Sequence, residues 1–435
     1  MRVLTSFTRG VRYPAPDVAR GFMLLLIAVA NVPIWASSLA SSEETVDYST
    51  ADSVDSVWLV LRTMLVDRRS FPLFAMLFGF GLMVMINRRV ASGTRTYLEQ
   101  ATGGQEQEAS PAQVAWAREQ ATIDARRLVR RRGWWMILFG AVHGVFFTGD
   151  IIGAYGLAAV IFAGWLAHKH RKRAIVLSSA IALLVAVVPF FASQMSTSTE
   201  SGQAPDMGVP WVVSNLLFWM SFTVVGGLVT LVVPSMFIGA RLADTDLLAH
   251  PERHRRLLVG VGLGGLGLGA LGALRLALGD LGLGEPASFD QSAYELTGLA
   301  GACGWLALLA LYAGGPRPDG ELRGLRWLAS AVGRRSMTAY LSQTLLFGLV
   351  FVIIPWLVGS TPRVGEAGAG LIAVGVWAAT VVLCAALERA GHAGPFETAL
   401  RTAVARSQRQ RSIPLPPSPP QEASAAASPV NQPAG

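Results

Sequence analysis

The feature that most constrains this chain is a series of apolar runs of roughly 17–25 residues, the length an α-helix needs to cross a hydrocarbon core of about 30 Å. Hydrophobic residues make up 52% of the 435 positions and charged residues only 15%, against about a quarter charged in soluble proteins. Because backbone polar groups cannot reach water inside a bilayer, such runs fold as helices. The sequence therefore predicts an all-α, polytopic integral membrane protein, a helical bundle in contact with lipid.

Ten transmembrane spans are predicted from these runs. A further apolar segment, Val57–Val66, is too short to cross and is predicted to be re-entrant or interfacial. Ser110-Pro111 with Gln113 has the pattern of a capping box with proline at the first helical position, and we expect the helix that begins there to end near Arg132. The spans lie at about 18–40, 70–86, 134–148, 151–167, 174–191, 212–238, 257–278, 296–313, 337–358 and 369–387.

The basic residues set the orientation. If the N-terminus is inside and ten spans alternate, 30 of the 36 Lys and Arg residues lie in cytoplasmic segments, as the positive-inside rule requires. Both termini are then cytoplasmic, and the predicted location is the bacterial cytoplasmic membrane. This topology accounts for the net charge of +8 without a nucleic-acid partner. The predicted parts are a basic leader (1–16), a transmembrane domain (17–401) with a cytoplasmic helical loop (87–132), and a disordered Pro/Ala/Ser-rich tail (402–435).

A tight helical hairpin carries the first candidate site. Only Gly149-Asp150 separates the apolar runs Trp134–Thr148 and Ile151–Ala167. His143 and Asp150 are expensive inside a bilayer, which indicates a functional role. Seven residues span about 10 Å of a straight helix, so the two side chains cannot touch within one straight helix. If the helix stops at Gly149, Asp150 can fold back or serve a neighbouring span. His143 would then be a general base tuned by a carboxylate; alternatively it is a buried neutral histidine bonded to a backbone carbonyl.

Further polar residues lie near the ends and middle of early spans. Asp17 and Arg20 share a helix face, which predicts that they form an ion pair or point together into the bundle. In the alternative interpretation, Arg20 snorkels to the lipid headgroups. Asn31 precedes Pro33, which is expected to kink the helix; the amide can satisfy freed carbonyls or take part in catalysis.

Two adjacent arginines follow the short apolar segment. Non-crossing apolar segments at membrane depth tend to line cavities, so Arg68 and Arg69 are candidates to hold an anionic substrate group. The alternative is ordinary solvated charge.

Glycines dominate the seventh span. Gly262–Gly267 spells G-x-G-x-x-G, but no strand precedes it, so a dinucleotide site is rejected. The spacing of Gly260 and Gly264, repeated at Gly265 and Gly269, favours close helix packing, within the chain or in a homodimer through span 257–278. Two cysteines far apart in sequence, Cys303 and Cys384, make no metal motif and are predicted to be free thiols.

Several of these motifs occur together in one family, and they extend from about residue 12 to residue 401. They are Asp17-x-x-Arg20-Gly21 with Asn31, Pro72 through Gly79-Phe-Gly81, the basic run into His143 with Gly149-Asp150 and Tyr155, Gly333-Arg334 through Thr338-Ala-Tyr340-Leu-Ser-Gln343, and Gly394-Pro395-Phe396-Glu397 with Arg401. In this combination the chain resembles the YeiB-like bacterial membrane-protein family, domain of unknown function 418.

That family in turn resembles the multi-span acyltransferases that move acetyl groups onto sugars. Those enzymes place a working histidine eleven residues after the arginine of the opening motif, where this chain has Asn31. They often end a late span with Tyr-Leu-x-His, where this chain has Gln343. Because amides cannot act as general bases, the resemblance implies that His143 with Asp150 supplies the base here.

Two functions follow as hypotheses. In the first, an acyl donor such as acyl-CoA enters from the cytoplasm near Asp17, Arg20 and segment 87–132, and transfer occurs in a cavity lined by Asn31, His143 and Asp150. In the second, the protein transports a small molecule or lipid through a midplane site. A membrane scaffold that recruits partners is a third alternative. A cavity open to the cytoplasm would favour the enzyme, and an occluded site would favour transport. The candidate substrate-binding residues are Asp17, Arg20, Arg68, Arg69, Tyr155 and Gln343.

Overall fold

The computed structural model describes residues 13–37, 53–104, 109–195, 210–284, 287–316, 322–360 and 364–417. These residues form α-helices and no strand, as the sequence predicts. The first eight helices are α1 (Pro14–Ser37), α2 (Ser53–Leu65), α3 (Ser70–Thr102), α4 (Pro111–Phe146), α5 (Ile152–Ala167), α6 (Arg171–Met195), α7 (Trp211–Leu228) and α8 (Val232–Leu242). The others are α9 (Arg255–Asp280), α10 (Asp290–Ala313), α11 (Leu325–Arg334), α12 (Ser336–Gly348), α13 (Ile354–Val358), α14 (Glu366–Arg389) and α15 (Pro395–Arg406).

The helix α1 lies inside the bundle, where it contacts α3, α10, α11, α12 and α14. The strongest pairings elsewhere join α9 to α10, α4 to α5, and α3 to both α4 and α8. Many large apolar side chains of α6, α7, α9 and α14 are exposed on the outer surface, which is the expected arrangement for helices that face lipid.

Eight helices of the described residues are long and apolar enough to cross a membrane, so the membrane-protein prediction is confirmed. They correspond to eight of the ten predicted spans. The other two predicted spans are the second half of α4 and the whole of α5, a shorter apolar helix. The count of ten and the orientation stay predictions.

The predicted break between the helical loop and the third span is wrong. The capping box at Ser110 is present, and the Ser110 hydroxyl oxygen accepts a hydrogen bond from the backbone N–H of Gln113. However, α4 continues through Arg132 to Phe146 as one helix. Gly133 does not end the helix. Because it has no side chain, α4 can cross α5 closely there; a Cβ at this position would lie 2.7 Å from the Gly156 carbonyl oxygen. The arginine-rich segment and the hairpin are therefore rigidly connected.

The predicted sixth span, 212–238, is two helices. Residues 229–231 interrupt the helix between α7 and α8. Pro234 lies in the first turn of α8, where its missing N–H costs nothing. In the interior of one continuous helix over residues 212–238, the same proline would break the helix. In the ninth span, Leu349–Ile353 adopt π-helical geometry just before Pro355, so α12 and α13 are joined by a widened turn.

The glycines of α9 use two faces. On one face, Gly265 and Gly269 pack against α10, where Cβ atoms would approach the Ala300 carbonyl oxygen to 2.4 Å and the Gly301 Cα to 3.1 Å. On the other face, added Cβ atoms at Gly260 and Gly264 meet no described atom within 4 Å. Close packing within the chain is thus confirmed for one pair, and the homodimer stays a prediction.

The two ends of the chain depart from their predicted boundaries. The helix α1 begins at Pro14, and residues 1–12 of the leader lie outside the described part. At the other end α15 continues to Arg406, past the predicted start of the tail. Residues 408–417 have no regular secondary structure, and Arg411 pairs with Asp124 of α4 at 3.5 Å. Residues 418–435 lie outside the described part.

Candidate functional site

Asp150 lies at the junction of the α4–α5 hairpin. The helix α4 ends at Phe146, and a five-residue connection, 147–151, brings the Asp150 carboxylate back to the first turn of α5. There it accepts hydrogen bonds from the backbone amides of Ile152 (3.2 Å) and Gly153 (2.8 Å). A carboxylate satisfies the free N–H groups of a helix N-terminus and is favoured by the helix dipole. Asp150 therefore folds back onto its own hairpin, which is one of the two possibilities that the sequence leaves open.

His143 connects this carboxylate to a distant helix. Its Nδ1 atom lies 2.7 Å from Asp150 Oδ1, and its Nε2 atom lies 2.8 Å from the hydroxyl oxygen of Thr344 on α12. The His143 side chain is 6% exposed and the Asp150 side chain is fully buried. The alternative of a histidine bonded to a backbone carbonyl is not what the structure shows, because both ring nitrogens face side chains.

The hydrogen-bond pattern fixes the roles of the two ring nitrogens. The carboxylate receives four donors: His143 and Ile152 on Oδ1, and Gly153 and the Trp219 indole N–H (3.0 Å) on Oδ2. An ionised carboxylate only accepts hydrogen bonds, so His143 Nδ1 carries the proton. In the neutral imidazole, Nε2 then has a free lone pair and accepts from the Thr344 hydroxyl. We call Asp150, His143 and Thr344 the relay.

Glycines make the room for the relay. A Cβ at Gly140 would lie 2.6 Å from Asp150 Oδ2, and one at Gly144 would lie 2.3 Å from the Trp219 ring. A Cβ at Gly153 would also meet that ring at 2.6 Å. The glycines of the hairpin therefore let α4, α5 and α7 converge on the carboxylate.

An aromatic layer covers the relay. The Trp35 ring stacks on Phe147 and Phe347, with centroids 5.4 and 6.2 Å apart. Each aromatic residue follows a buried polar residue by three or four positions, about one helical turn. Those polar residues are Asn31, His143 and Thr344. Asn31 is buried and precedes its aromatic residue by the same spacing as His143 precedes Phe147.

Thr344, Trp219 and Tyr340 were missed as site residues from the sequence. The Tyr340 ring meets the His143 ring edge-on, with centroids 5.2 Å apart. Its buried hydroxyl faces the Ile151 backbone without a hydrogen bond of good geometry. The motif around Tyr340 pointed to this helix, but a threonine inside an apolar span gives no signal of its own.

Two other predicted residues hold helices together. The Tyr155 hydroxyl donates to the Phe71 carbonyl oxygen at 3.1 Å, and its ring stacks on Phe74. The Gln343 amide donates to the Leu24 carbonyl oxygen at 3.2 Å, which ties α12 to α1. Among the described residues, neither of these two hydrogen bonds reaches the relay.

The opening motif forms a separate cluster at the arginine-rich end of the bundle. Arg20 pairs with Asp17 at 3.5 Å and donates to the Leu77 carbonyl oxygen at 3.0 Å. Burial lowers the pKa of Arg132, and the nearby charges of Arg20 and Arg401 lower it further. The Glu397 carboxylate raises that pKa, and the Arg132 Nε atom is buried with no hydrogen-bond partner among the described residues. We call Arg20, Arg132 and Arg401 the arginine cluster.

Arg68 and Arg69 have different surroundings. Arg69 is fully buried, and its guanidinium donates to the carbonyl oxygens of Thr63 (2.8 Å) and Asp67 (2.5 Å) and to that of Gly269. This arginine therefore ties the α2–α3 turn to α9. Arg68 is 45% exposed and pairs with Glu295 at 3.0 Å, and it lines an apolar cavity beside Tyr155.

The different environments of these two arginines give a stability prediction. Arg69→Met should lower the free energy of unfolding by about 3 kcal/mol, because buried carbonyls lose charged donors. The adjacent Arg68→Met removes only an exposed ion pair and should cost about 1 kcal/mol or less. Thermal unfolding of both variants in detergent tests this, and equal losses would contradict the structural role of Arg69.

Comparisons with known proteins agree with the family resemblance. Residues 242–407 match the family described as "Protein of unknown function (DUF418)", which confirms the resemblance for the part from α9 to α15. A Bacillus subtilis (strain 168) relative, "Uncharacterized protein YxaH", is 23% identical over 428 residues, covering 89% of this chain and 93% of the relative. No solved structure matches the chain. The matched family region contains Thr344 and Gln343, whereas His143 and Asp150 lie outside it.

Proposed function

We propose that the protein is an acyltransferase-related membrane enzyme in which His143 is the general base. The observation that carries this proposal is the relay: a buried carboxylate on Nδ1 and a hydroxyl on Nε2 of one imidazole. This arrangement fixes the tautomer, orients the ring and stabilises the imidazolium that forms when the base takes a proton. The two amides at Asn31 and Gln343 leave His143 as the base of this layer.

The chemistry follows from the free lone pair on His143 Nε2. An acceptor hydroxyl takes the position of the Thr344 hydroxyl and gives its proton to Nε2 while its oxygen attacks the carbonyl carbon of an acyl thioester. The new C–O bond forms, the C–S bond breaks, and the imidazolium returns the proton to the departing thiolate. Asp150 stays ionised throughout and holds the ring.

The arginine cluster fits the phosphate groups of an acyl-CoA donor. Arginine suits phosphate because its planar fork donates two parallel hydrogen bonds, and Arg132 has a buried nitrogen to offer. Arg132 and His143 lie eleven residues apart on one helix, about 16 Å. A long, flexible donor arm can span that length while its phosphates stay at the arginine-rich end. The cytoplasmic placement of that end rests on the positive-inside pattern.

The test is acyl-CoA hydrolysis and transfer by the purified full-length protein, with His143→Gln beside His392→Gln as the matched control. His392 has an exposed side chain outside the relay. Loss of the base should reduce turnover by about 10²- to 10⁴-fold, while the control keeps wild-type turnover. Equal activity of the two variants would contradict the proposal.

Thr344 variants refine the assignment of that hydroxyl. Thr344→Val should retain turnover, because the acceptor hydroxyl takes the place of the Thr344 hydroxyl at Nε2. Turnover that is lost in Thr344→Val and kept in Thr344→Ser would instead make Thr344 the acyl-accepting nucleophile.

The occlusion of the site favours a second candidate, transport of a small molecule or lipid. One cavity close to the relay is lined by Ile151, Ala154 and Tyr155, and neither His143 nor Asp150 lines it. An enclosed ionisable pair in a membrane bundle is also typical of proton relays in transporters. Solute uptake by reconstituted vesicles that His143→Gln abolishes, without acyl-donor turnover in the wild type, would replace the first proposal with this one.

A further inference from the structure

The helix α6 lies at the edge of the bundle and touches it mainly through α8 and α10. Only 6% of its most apolar stretch is buried inside the bundle. Most of its surface therefore faces the surroundings, and space remains between it and its neighbours.

Two cavities occupy that space and follow each other along α6. One, of about 240 Å³, lies between residues 184–189 of α6 and the break at Val229–Val232. The other, of about 520 Å³, lies between residues 174–182 of α6 and residues 234–242 of α8. Because the two share α6 and α8 as walls, we call them together the lateral groove. Residues 174–189 span about 22 Å, which is a large part of a hydrocarbon core of about 30 Å.

Basic residues gather where the larger cavity reaches the arginine-rich end. Lys169, Arg171 and Arg241 lie 2.7, 3.4 and 3.9 Å from the carboxylate of Asp244. Three cations around one carboxylate leave an excess of two positive charges. The Arg171 and Arg241 side chains are more than half exposed, so their guanidinium groups remain accessible to an anion.

The remaining walls of this cavity are mostly apolar. They include Trp165, Phe237 and Ile238 on the bundle side and Ile175 on α6. A ligand that fits this site therefore combines an anionic head with a long apolar tail, and it enters sideways from the bilayer because α6 faces outward.

We infer that the lateral groove binds an anionic phospholipid of the surrounding bilayer. The phosphate group contacts Arg171 and Arg241, and an acyl chain lies between α6 and α8 toward the break at Val229–Val232. Arginine pairs with phosphate through charge-assisted hydrogen bonds, and each basic residue at a membrane surface favours anionic lipid. This inference does not depend on acyl transfer, because none of its residues belongs to the relay or to the arginine cluster.

Native mass spectrometry of the full-length protein titrated with phosphatidylglycerol or phosphatidylcholine tests the headgroup contact. The variant is Arg171→Gln with Arg241→Gln. The matched control is Lys172→Gln with Arg173→Gln, which removes the same amount of charge from positions beside Arg171 that do not line the cavity. The variant should weaken phosphatidylglycerol binding by about fivefold for each lost cation, and the control should not. Equal weakening in both, or equal binding of both lipids by the wild type, would overturn the inference.

The acyl-chain contact has its own pair of variants. Ser178→Phe fills the larger cavity, whereas Val176→Phe places the same ring on the exposed face of α6, since Val176 is 69% exposed. Ser178→Phe should reduce lipid retention severalfold with an unchanged melting temperature, and Val176→Phe should leave it as in the wild type. Undiminished binding by Ser178→Phe would show that the chain does not lie in the groove.

Discussion

Replacing Asp150 with alanine should lower the free energy of unfolding by about 3–5 kcal/mol, because each buried donor left without an acceptor costs about 1–3 kcal/mol. Four donors lose their acceptor at once: the His143 ring, the Trp219 indole and the amides of Ile152 and Gly153. The helix α5 also loses the negative charge at its N-terminus, which stabilises the free N–H groups there. Thermal unfolding of the purified variant in detergent measures the loss.

Asp246→Ala is the matched control for this change. Asp246 also contacts a histidine, His254, at 2.9 Å, but its side chain is 42% exposed. An exposed pair contributes about 1 kcal/mol or less, so this variant should unfold close to the wild-type temperature. Equal losses of unfolding free energy for Asp150→Ala and Asp246→Ala would mean that the buried relay stabilises the fold no more than an exposed pair does.

Gly239→Ala should disrupt the crossing of α3 and α8. A Cβ at Gly239 would lie 1.8 Å from the Met76 carbonyl oxygen, and one at Gly79 would lie 2.0 Å from the Met236 carbonyl oxygen. Because these obstacles are backbone atoms, no rotamer change relieves the contact and the helices must separate. Overpacking typically costs 1–3 kcal/mol, and because the added Cβ meets backbone atoms that no rotamer change can move, this variant should lie at the upper end, about 3 kcal/mol.

Gly375→Ala separates this steric effect from the general effect of removing a helical glycine. Gly375 lies in α14, and an added Cβ there meets no described atom within 4 Å. Alanine favours a helix by up to about 1 kcal/mol over glycine, so this control should be neutral or slightly stabilised. A Gly239→Ala protein as stable as Gly375→Ala would contradict the helix crossing.

Local patterns in the sequence were sufficient to predict much of the architecture. The apolar runs predicted the helical membrane class, and the spacing of Ser110, Pro111 and Gln113 predicted a helix start that is present with both of its hydrogen bonds. The two-residue joint at Gly149-Asp150 predicted the hairpin and allowed the carboxylate to fold back. Each of these signals involves residues that are close in the chain, where propensity and spacing decide the outcome.

The remainder depends on contacts between distant segments. Thr344 is 201 residues from His143, and no local pattern indicates that α12 passes the hairpin. The helix α4 is continuous past Gly133 because α5 packs closely against that glycine, and the break at residues 229–231 lies within an apolar run that looks uniform. Arg69 likewise looks like a surface charge until the fold places the Gly269 carbonyl beside it.

The most direct test of the relay is a double-mutant cycle on acyl-donor turnover with Asp150→Asn, His143→Gln and the two combined. Asparagine keeps the shape of Asp150 and loses its charge, so it should lower turnover by weakening the orientation of the imidazole. Groups that act as one unit give losses that do not multiply, and the double variant should therefore turn over at the rate of His143→Gln alone. Independent losses that multiply, or a wild-type protein that turns over no acyl donor, would contradict the account.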